Sequence, residues 1–224
     1  MTLQEAIRVR HSVRKYSDRP LEGEAVSALQ LEIKKINDES GLHIQLVLNE
    51  PKAFSKGIMN YGQITGVSNY LVMVGPKGSA AEEKIGYYGE RLVLLAQILG
   101  LNSCWVGLTY KKIPGAYTIS EGETLHCVIA LGYGITQGVQ HPLKPVEKFY
   151  EAAGNVPEWF LSGMEAALLA PTAINQQKFR FILHDGGRVE AKALSSLAGY
   201  THIDLGIVKY HFEIGAGKVN FQWI

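Results

Sequence analysis

The stretch RVRHSVRKYS, residues 8–17, concentrates cationic and hydroxyl side chains in a chain whose charges otherwise nearly cancel. If residues 10–14 are extended, Arg10, Ser12 and Arg14 point to the same side of the backbone. Two guanidinium groups with a hydroxyl between them match the acceptors of a phosphate ester, so the spacing favours a small anion site. A solvated basic turn after a surface helix would explain the same residues, and the motif alone does not decide between the two.

The overall composition limits the kind of partner. The 224 residues include 22 Lys and Arg against 21 Asp and Glu, and a net charge of +1 argues against binding nucleic acid or a membrane surface through bulk electrostatics. The N-terminal residues lack the apolar core of a signal peptide, and no apolar run reaches the ~18 residues of a membrane-spanning helix. We therefore expect a cytoplasmic protein that binds small molecules.

The cysteine and histidine residues give no sign of a metal site. Cys104 and Cys127 lie in apolar stretches without a CxxC pair, which indicates two buried, reduced thiols. The seven histidines are scattered; only HID at 202–204 with His211 could in principle hold a metal, and we expect none there.

Local patterns predict an alternation of helices and strands. A capping box at Thr2–Glu5 begins the first helix, a second at Ser79–Glu82 begins a long helix that ends at Gly100, and Asn155 is expected to cap a later one. The remaining predictions are helices over 23–37 and 203–217 and strands within 42–49, 69–75, 124–134 and 178–185. Similar elements recur in the same order, which suggests a weak internal repeat.

Two further stretches carry candidate binding residues. In APTAINQQKFRF, residues 170–181, three consecutive amides could bind the edge of a heterocycle, although a polar helix-to-strand loop is the alternative. In GLNSCWVGLTY, residues 100–110, Gly107 would let the backbone approach a flat ligand, although a plain helix end is the alternative. GYGITQG at 132–138 imitates a dinucleotide-binding fingerprint, but its spacing is wrong and no helix follows.

Together these stretches resemble the nitroreductase-like FMN flavoproteins. AIRVRHSVRKYSDRPL is similar to the family's R-x-S-x-R segment, and EAALLAPTAINQQKFRFIL is similar to its A-P-S-A-x-N-x-Q-P-W-x-F segment. GERLVLLAQILGLNSCWVGLTY and IALGYG resemble the central helix, its turn and the following strand, and HPLKPVEKFY resembles the basic segment after it. The resemblance covers well over half of the chain.

The order of the segments differs from that of most members, in which the Asn-containing loop closely follows R-x-S-x-R. The usual enzyme is a homodimer with its flavins between subunits, so this chain looks like a single-chain mimic of that dimer. The resemblance implies an α+β fold with a mixed or antiparallel sheet flanked by helices, and two related parts, 1–150 with the phosphate segment and 151–224 with the Asn loop. It also implies one flavin site within one chain, whether the protein is a monomer or a homodimer.

The resemblance also assigns the cofactor contacts. Arg10, His11 and Ser12 match the segment that holds the FMN phosphate and ribityl chain, and Arg14 matches the residue of that segment at the pyrimidine edge. Val106 and Gly107 match the backbone near the flavin N5, and Lys144, less surely His141, matches a basic phosphate partner. The loop residues are Pro171, Thr172, Ala173 and Asn175. Lys178 and Phe179 depart from the family's Pro-Trp.

The implied activity is the reduction of small electrophilic compounds by NAD(P)H, with hydride passing through FMN in a ping-pong cycle. No catalytic side chain is required. The alternatives are a flavin- or nucleotide-binding module without catalysis and, less strongly, a phosphate- or nucleic-acid-binding role for residues 8–15.

Overall fold

A computed structural model describes residues 1–55 and 64–224, which form an α+β fold. The α-helices of these residues are α1 (Leu3–Val9), α2 (Glu24–Ser40), α3 (Ser79–Ile98), α4 (Glu158–Leu168) and α5 (Thr201–Ala216). The strands are β1 (Gln45–Val47), β2 (Asn69–Pro76), β3 (Asn102–Val106), β4 (Glu123–Gly132), β5 (Tyr150–Ala152), β6 (Phe179–His184), β7 (Arg188–Ala193) and β8 (Gln222–Trp223). None of these helices is long and apolar enough to cross a membrane.

The chain divides into two compact units. The first unit comprises Met1–Val9, Glu82–Glu90 and His141–Ile224, and the second comprises Arg10–Ala81 and Arg91–Gln140. Helix α3 contributes residues to both. That 1–150 and 151–224 are related parts of an internal duplication stays a prediction.

The second unit is built on an antiparallel sheet with the strand order β1-β2-β4-β3. Alternate residues of β2 and β4 enter one core, because successive side chains of a strand point to opposite faces. Tyr70 and Val72 from β2 and Val128 and Ala130 from β4 are buried there. Strand β3 lies at one edge of this sheet.

The first unit contains a mixed sheet with the order β5-β6-β7-β8, in which the central pair is antiparallel and the outer pairs are parallel. Its core is aromatic. The Phe212 ring of α5 lies 4.8 Å from Phe181 of β6, 5.5 Å from Phe160 of α4 and 5.4 Å from Trp223 of β8. Through these ring contacts, α4 and α5 pack against the sheet.

Within the first unit, α3 and α5 approach each other backbone to backbone at two glycines. A Cβ atom on Gly206 would lie 1.9 Å from the carbonyl oxygen of Glu83, and one on Gly86 would lie 1.9 Å from that of Ile203. No side chain fits at either point, so the crossing depends on the missing Cβ atoms.

A fully buried polar pair lies in the same unit. Glu90 of α3 and His211 of α5 are both 0% exposed, and Nε2 of His211 lies 2.9 Å from Oε1 of Glu90. The other ring nitrogen, Nδ1, lies 3.1 Å from the carbonyl oxygen of Ala166 in α4 and donates to it, because a carbonyl oxygen can only accept. Whichever partner holds the shared proton, the pair is neutral overall.

The predicted α1 start and cysteine burial are confirmed, and two predicted caps are wrong. Thr2 and Glu5 exchange both hydrogen bonds of a capping box, at 2.7 and 3.2 Å, and both cysteines are buried. Ser79 does not cap α3, because the helix already begins at that residue and Gly78 precedes it as the N-cap. Asn155 does not cap α4, which begins after Pro157.

The strand predictions are confirmed in position but are incomplete. The strand expected within 42–49 is limited to β1, whereas β2, β4 and β6 lie where their apolar runs predict them. Strands β3, β5, β7 and β8 were not predicted, and β3 occupies Asn102–Val106, where only the end of the long helix was expected. β5 and β8 are too short to show a pattern, and only Val189 of β7 is fully buried, so its alternation is weak.

Candidate functional site

The segment that opens the basic motif is extended and fixed to β3. Ser12 pairs with Ser103 in a parallel bridge, and the amide of Val13 donates to the carbonyl oxygen of Ser103 at 3.0 Å. Val13 is fully buried in the core of the second unit. The segment is therefore extended at Ser12 and Val13, and one side of it is anchored in the core of the second unit.

The continuation of the segment is fixed on both sides by backbone hydrogen bonds. Thr65 donates to Arg14 at 2.9 Å and accepts from Tyr16 at 2.9 Å, while Ile135 donates to Lys15 at 2.9 Å. These bonds set the register of residues 14–16 and hence the side on which each side chain lies.

Two glycines with positive φ make room for the segment. A Cβ atom on Gly66 (φ +77°) would lie 2.1 Å from the carbonyl oxygen of Tyr16, and one on Gly138 (φ +73°) would lie 2.9 Å from the Cβ of His11. Gly138 ends the GYGITQG stretch. That stretch therefore encloses the basic segment, which explains its glycines without a dinucleotide.

The basic segment runs beside the buried thiol of Cys104 in β3, because Ser12 pairs with Ser103. Burial raises the pKa of the Cys104 thiol, while the charges of Arg14 and Arg10 and a hydrogen bond from Ser12 lower it. We refer to Arg10, Ser12, Arg14, Tyr16 and Cys104 as the arginine cluster. Arg10 is only 3% exposed, whereas Arg14 is exposed, so this cluster extends from the interior to the surface.

Two residues of this cluster were not predicted. Cys104 was expected to be a buried thiol and nothing more, and it contacts the cluster only because β3 folds beside the segment. Tyr16 is buried, its hydroxyl has no hydrogen-bond partner among the described residues, and burial raises its pKa well above the ordinary value. Its two-residue spacing from Arg14 is the signal that could have found it.

Val106 and Gly107 lie at the end of the same strand. Val106 is buried and Gly107 is half-buried, and Leu108 after them is exposed. Ser103, which pairs with Ser12, and Val106 are three residues apart, or ~10 Å along a strand. The structure thus places two predicted contact regions along one strand of the second unit.

The loop Pro171–Gln177 of the first unit adopts an unusual backbone. Ile174, Asn175 and Gln177 have φ values of 48°, 54° and 49°. A positive φ is costly for a β-branched residue, and Ile174 is nevertheless 78% exposed, so no apolar contact compensates its strain. Strain of this kind is concentrated at functional sites.

Several side-chain amide atoms of this loop are buried without a partner. Within the described parts of the chain, Oδ1 of Asn175, Oε1 of Gln176 and both side-chain polar atoms of Gln177 are buried without a hydrogen-bond partner. Because buried polar atoms are normally paired, this edge of the loop has unused hydrogen-bonding capacity for a ligand.

Asp204 of α5 holds the loop and was not predicted. Its Oδ1 accepts from the Ala173 amide at 2.9 Å, and its Oδ2 accepts from Nε2 of Gln176 at 2.6 Å. Burial raises the pKa of Asp204 to about 6, although the hydrogen bonds from Gln176 and Ala173 lower it in part. An acidic residue inside the apolar run IDLGIV was the available signal.

The remaining predicted positions also lie in the first unit. Lys144 is exposed and forms no ion pair with a described residue, and Nδ1 of His141 lies 3.2 Å from the carbonyl oxygen of Pro142. Phe179, in place of the family's Trp, is a core residue whose ring lies 5.0 Å from Phe149. Within residues 1–55 and 64–224, no cluster of three His, Cys, Asp or Glu side chains could hold a metal ion.

Comparison with known proteins identifies similar chains. A family model described as "Putative TM nitroreductase" matches residues 2–216. A "putative nitroreductase" of Thermotoga maritima is 20% identical with a TM-score of 0.65, and the match covers 98% of this chain and 85% of that one. No curated protein matches the chain.

Two other solved structures give weaker matches. A "Putative NADH dehydrogenase/NAD(P)H nitroreductase" of Parabacteroides distasonis is 21% identical with a TM-score of 0.51, covering 66% of this chain and 95% of its own. A nitroreductase of Bacteroides fragilis with bound FMN is 21% identical with a TM-score of 0.47, covering 70% and 98%.

Proposed function

Because this chain belongs to the nitroreductase family whose model spans residues 2–216, we propose that it is an FMN-dependent oxidoreductase that reduces small electrophilic compounds with NAD(P)H. The observation that carries the proposal is the extended segment fixed to β3, on which Arg10, Ser12 and Arg14 alternate with the buried Val13.

The geometry of this cluster fits the phosphate of FMN. Arginine presents a rigid fork of donors that matches phosphate oxygens, and the Ser12 hydroxyl adds a short donor between the two guanidinium groups. The backbone bonds of Val13 and Tyr16 fix the main chain that carries these donors before any ligand arrives, which lowers the entropy lost on binding.

Further along β3, Val106 and Gly107 are proposed to face the flavin ring. The ~10 Å of strand between Ser103 and Val106 leaves room for the ribityl chain between the phosphate and the ring. In this arrangement one strand would orient the whole cofactor.

The loop Pro171–Asn175 and Lys144 are proposed as flavin contacts on the resemblance, and the unused amide atoms of the loop support its part. N175A and K144A test these two assignments independently of the arginine cluster. Each is expected to weaken FMN binding without abolishing it, because the phosphate segment remains intact.

When bound, FMN supplies the hydride transfer itself. The residues of this chain neutralise the phosphate, orient the ring and limit the access of water. Turnover is expected to be ping-pong, so steady-state lines with NADPH and a nitroaromatic compound should run parallel, and intersecting lines would contradict this mechanism.

The first test is the flavin content of the purified protein. We expect a yellow protein with about one FMN per chain after release by heating, whereas two per chain would contradict the single-site hypothesis. R14A should bind FMN on the order of 10- to 100-fold more weakly, the loss typical of a charged hydrogen bond. K15A removes the same charge one position away and is the matched control. An equal loss of FMN affinity in K15A would show that net positive charge, and not the position of Arg14, determines binding.

Anaerobic mixing with NADH or NADPH separates the enzyme from a flavin-binding module. Rapid bleaching of the bound flavin supports the enzyme, and inertness to both nucleotides supports the module. A strongly salt-dependent affinity for oligonucleotides would instead support a nucleic-acid role for residues 8–15.

A further inference from the structure

The carboxyl group of Asp204 connects α5 to the strained loop Pro171–Gln177. Asp204 is 2% exposed, and each of its oxygens accepts one hydrogen bond from the loop, from the Ala173 amide and from Nε2 of Gln176. The same Gln176 nitrogen also donates to the carbonyl oxygen of Gly199 at 3.0 Å. The conformation of the loop therefore depends on this carboxyl group.

Both hydrogen-bond donors to Asp204 are neutral, and no ion pair joins Asp204 to another of the described residues. The charged groups of the packed elements are engaged elsewhere or exposed. The groups that have partners of their own are Glu83 with Lys209, Glu90 with His211, Glu190 with Lys192 and His184, Arg180 with Glu151, and Glu5 with Thr2. The side chains that are exposed are Arg8, Glu158, Glu165, Lys178 and Arg188, and His202 is half-buried.

An ionised carboxyl group in such a place is poorly compensated. Burial without a cationic partner disfavours the charge, and two neutral donors offset only part of the lost hydration. Opening of the loop would return water to the carboxylate. The closed loop therefore binds a proton at Asp204 more tightly than the open loop does.

We propose that Asp204 is a positioning residue of the loop Pro171–Gln177, and that ionisation of its buried carboxyl group favours release of the loop while protonation holds it closed. The loop carries the unpaired amide atoms of Asn175, Gln176 and Gln177, so proton binding at Asp204 controls how firmly this edge is presented to a ligand. That the ligand is FMN rests on the proposed function; the coupling between the proton and the loop does not.

The size of the effect follows from the two states of the carboxyl group. Its pKa is about 6 in the closed loop and 3.8 when it is exposed to water. Between pH 5 and pH 8 the closed loop should become roughly tenfold less favoured. In D204N this dependence disappears, because the asparagine cannot ionise and Gln176 can turn its amide to accept from it.

Hydrogen exchange of the Ala173 and Gln177 amides measures this coupling in the protein without added ligand. The ratio of exchange rates between wild type and D204N at the same pH cancels the intrinsic pH dependence. We expect the ratio to rise roughly tenfold from pH 5 to pH 8. The matched control, D185N, alters an exposed aspartate of the same unit and should give a ratio that does not change with pH.

A wild-type to D204N ratio that stays constant across this range would overturn the proposal. If D204N folds poorly, the wild type alone still tests it, because protection of Ala173 relative to the helical amide of Phe212 should fall over the same range. FMN titration at both pH values is read separately. Absence of FMN binding would contradict the proposed function and leave the exchange ratios interpretable, whereas FMN binding with a constant ratio would contradict only the role of Asp204.

Discussion

Replacement of His211 by alanine tests the buried pair in the core of the first unit. Glu90 and His211 are both 0% exposed, with 2.9 Å between Oε1 and Nε2. H211A removes a buried partner of the Glu90 carboxyl group and one donor to the carbonyl oxygen of Ala166, which still accepts from the Leu169 amide at 3.1 Å. Breaking one side of a buried pair costs about 3–5 kcal/mol in the free energy of unfolding. For a chain of this length that corresponds to a fall in Tm of roughly 10 °C.

E90Q is the matched variant, because it keeps the shape and removes the charge. The neutral imidazole still donates from Nδ1 to the Ala166 carbonyl, and its Nε2 can accept from the glutamine amide. With every buried group still paired, E90Q should cost less than about 1.5 kcal/mol. Thermal and urea unfolding followed by circular dichroism measure both variants. Equal losses in H211A and E90Q would refute the reasoning, since they would show that charge, not pairing, matters at this site.

Three further changes test other parts of the structure. G206A places a Cβ atom 1.9 Å from the carbonyl oxygen of Glu83 and should lower the free energy of unfolding by about 1–3 kcal/mol. The control G154A, whose Cβ would have no atom within 4 Å, should be nearly neutral. Equal Tm values for the two variants would show that α3 and α5 can move apart freely. Because the pKa of Asp204 is raised in the folded state, its contribution to stability is present below pH 3.8 and is lost as pH rises through about 6. The free energy of unfolding of D204N should therefore exceed that of the wild type by about 3 kcal/mol at pH 7.5 and match it near pH 4. A difference in Tm that does not change with pH would contradict this. Y16F removes a buried hydroxyl without a partner among the described residues and should raise stability by up to about 1 kcal/mol in flavin-free protein, whereas a clear loss in urea unfolding would reveal a bond to that hydroxyl.

The sequence predicts best those elements whose signal is local. The Thr2–Glu5 capping box forms as its spacing indicates. The similar pattern at Ser79 fails, because Gly78 lets the chain enter the helix one residue earlier. A capping pattern thus indicates that a helix begins nearby, while the conformation of the flanking residues determines the residue at which it begins.

The candidate site also combines residues that have a local sequence signal with residues that have none. The sequence singles out the basic segment and the amides at Asn175–Gln177 as candidates, while a solvated turn and a polar loop remain open as alternatives. The thiol of Cys104 and the carboxyl group of Asp204 could not be placed in this way, because β3 and α5 bring them to these positions from distant parts of the chain. Contacts of this kind depend on tertiary folding and leave no spacing in the sequence.

The pairing of Ser12 with Ser103 has a consequence for the solubility of the protein. Strand β3 ends its sheet, and an uncovered edge strand offers unpaired backbone groups to other chains. Residues 12–13 cover part of that edge. Loss or detachment of the N-terminal segment would therefore expose the backbone of an edge strand as well as remove the arginines. Aggregation is then expected to accompany any loss of ligand binding that such a change causes.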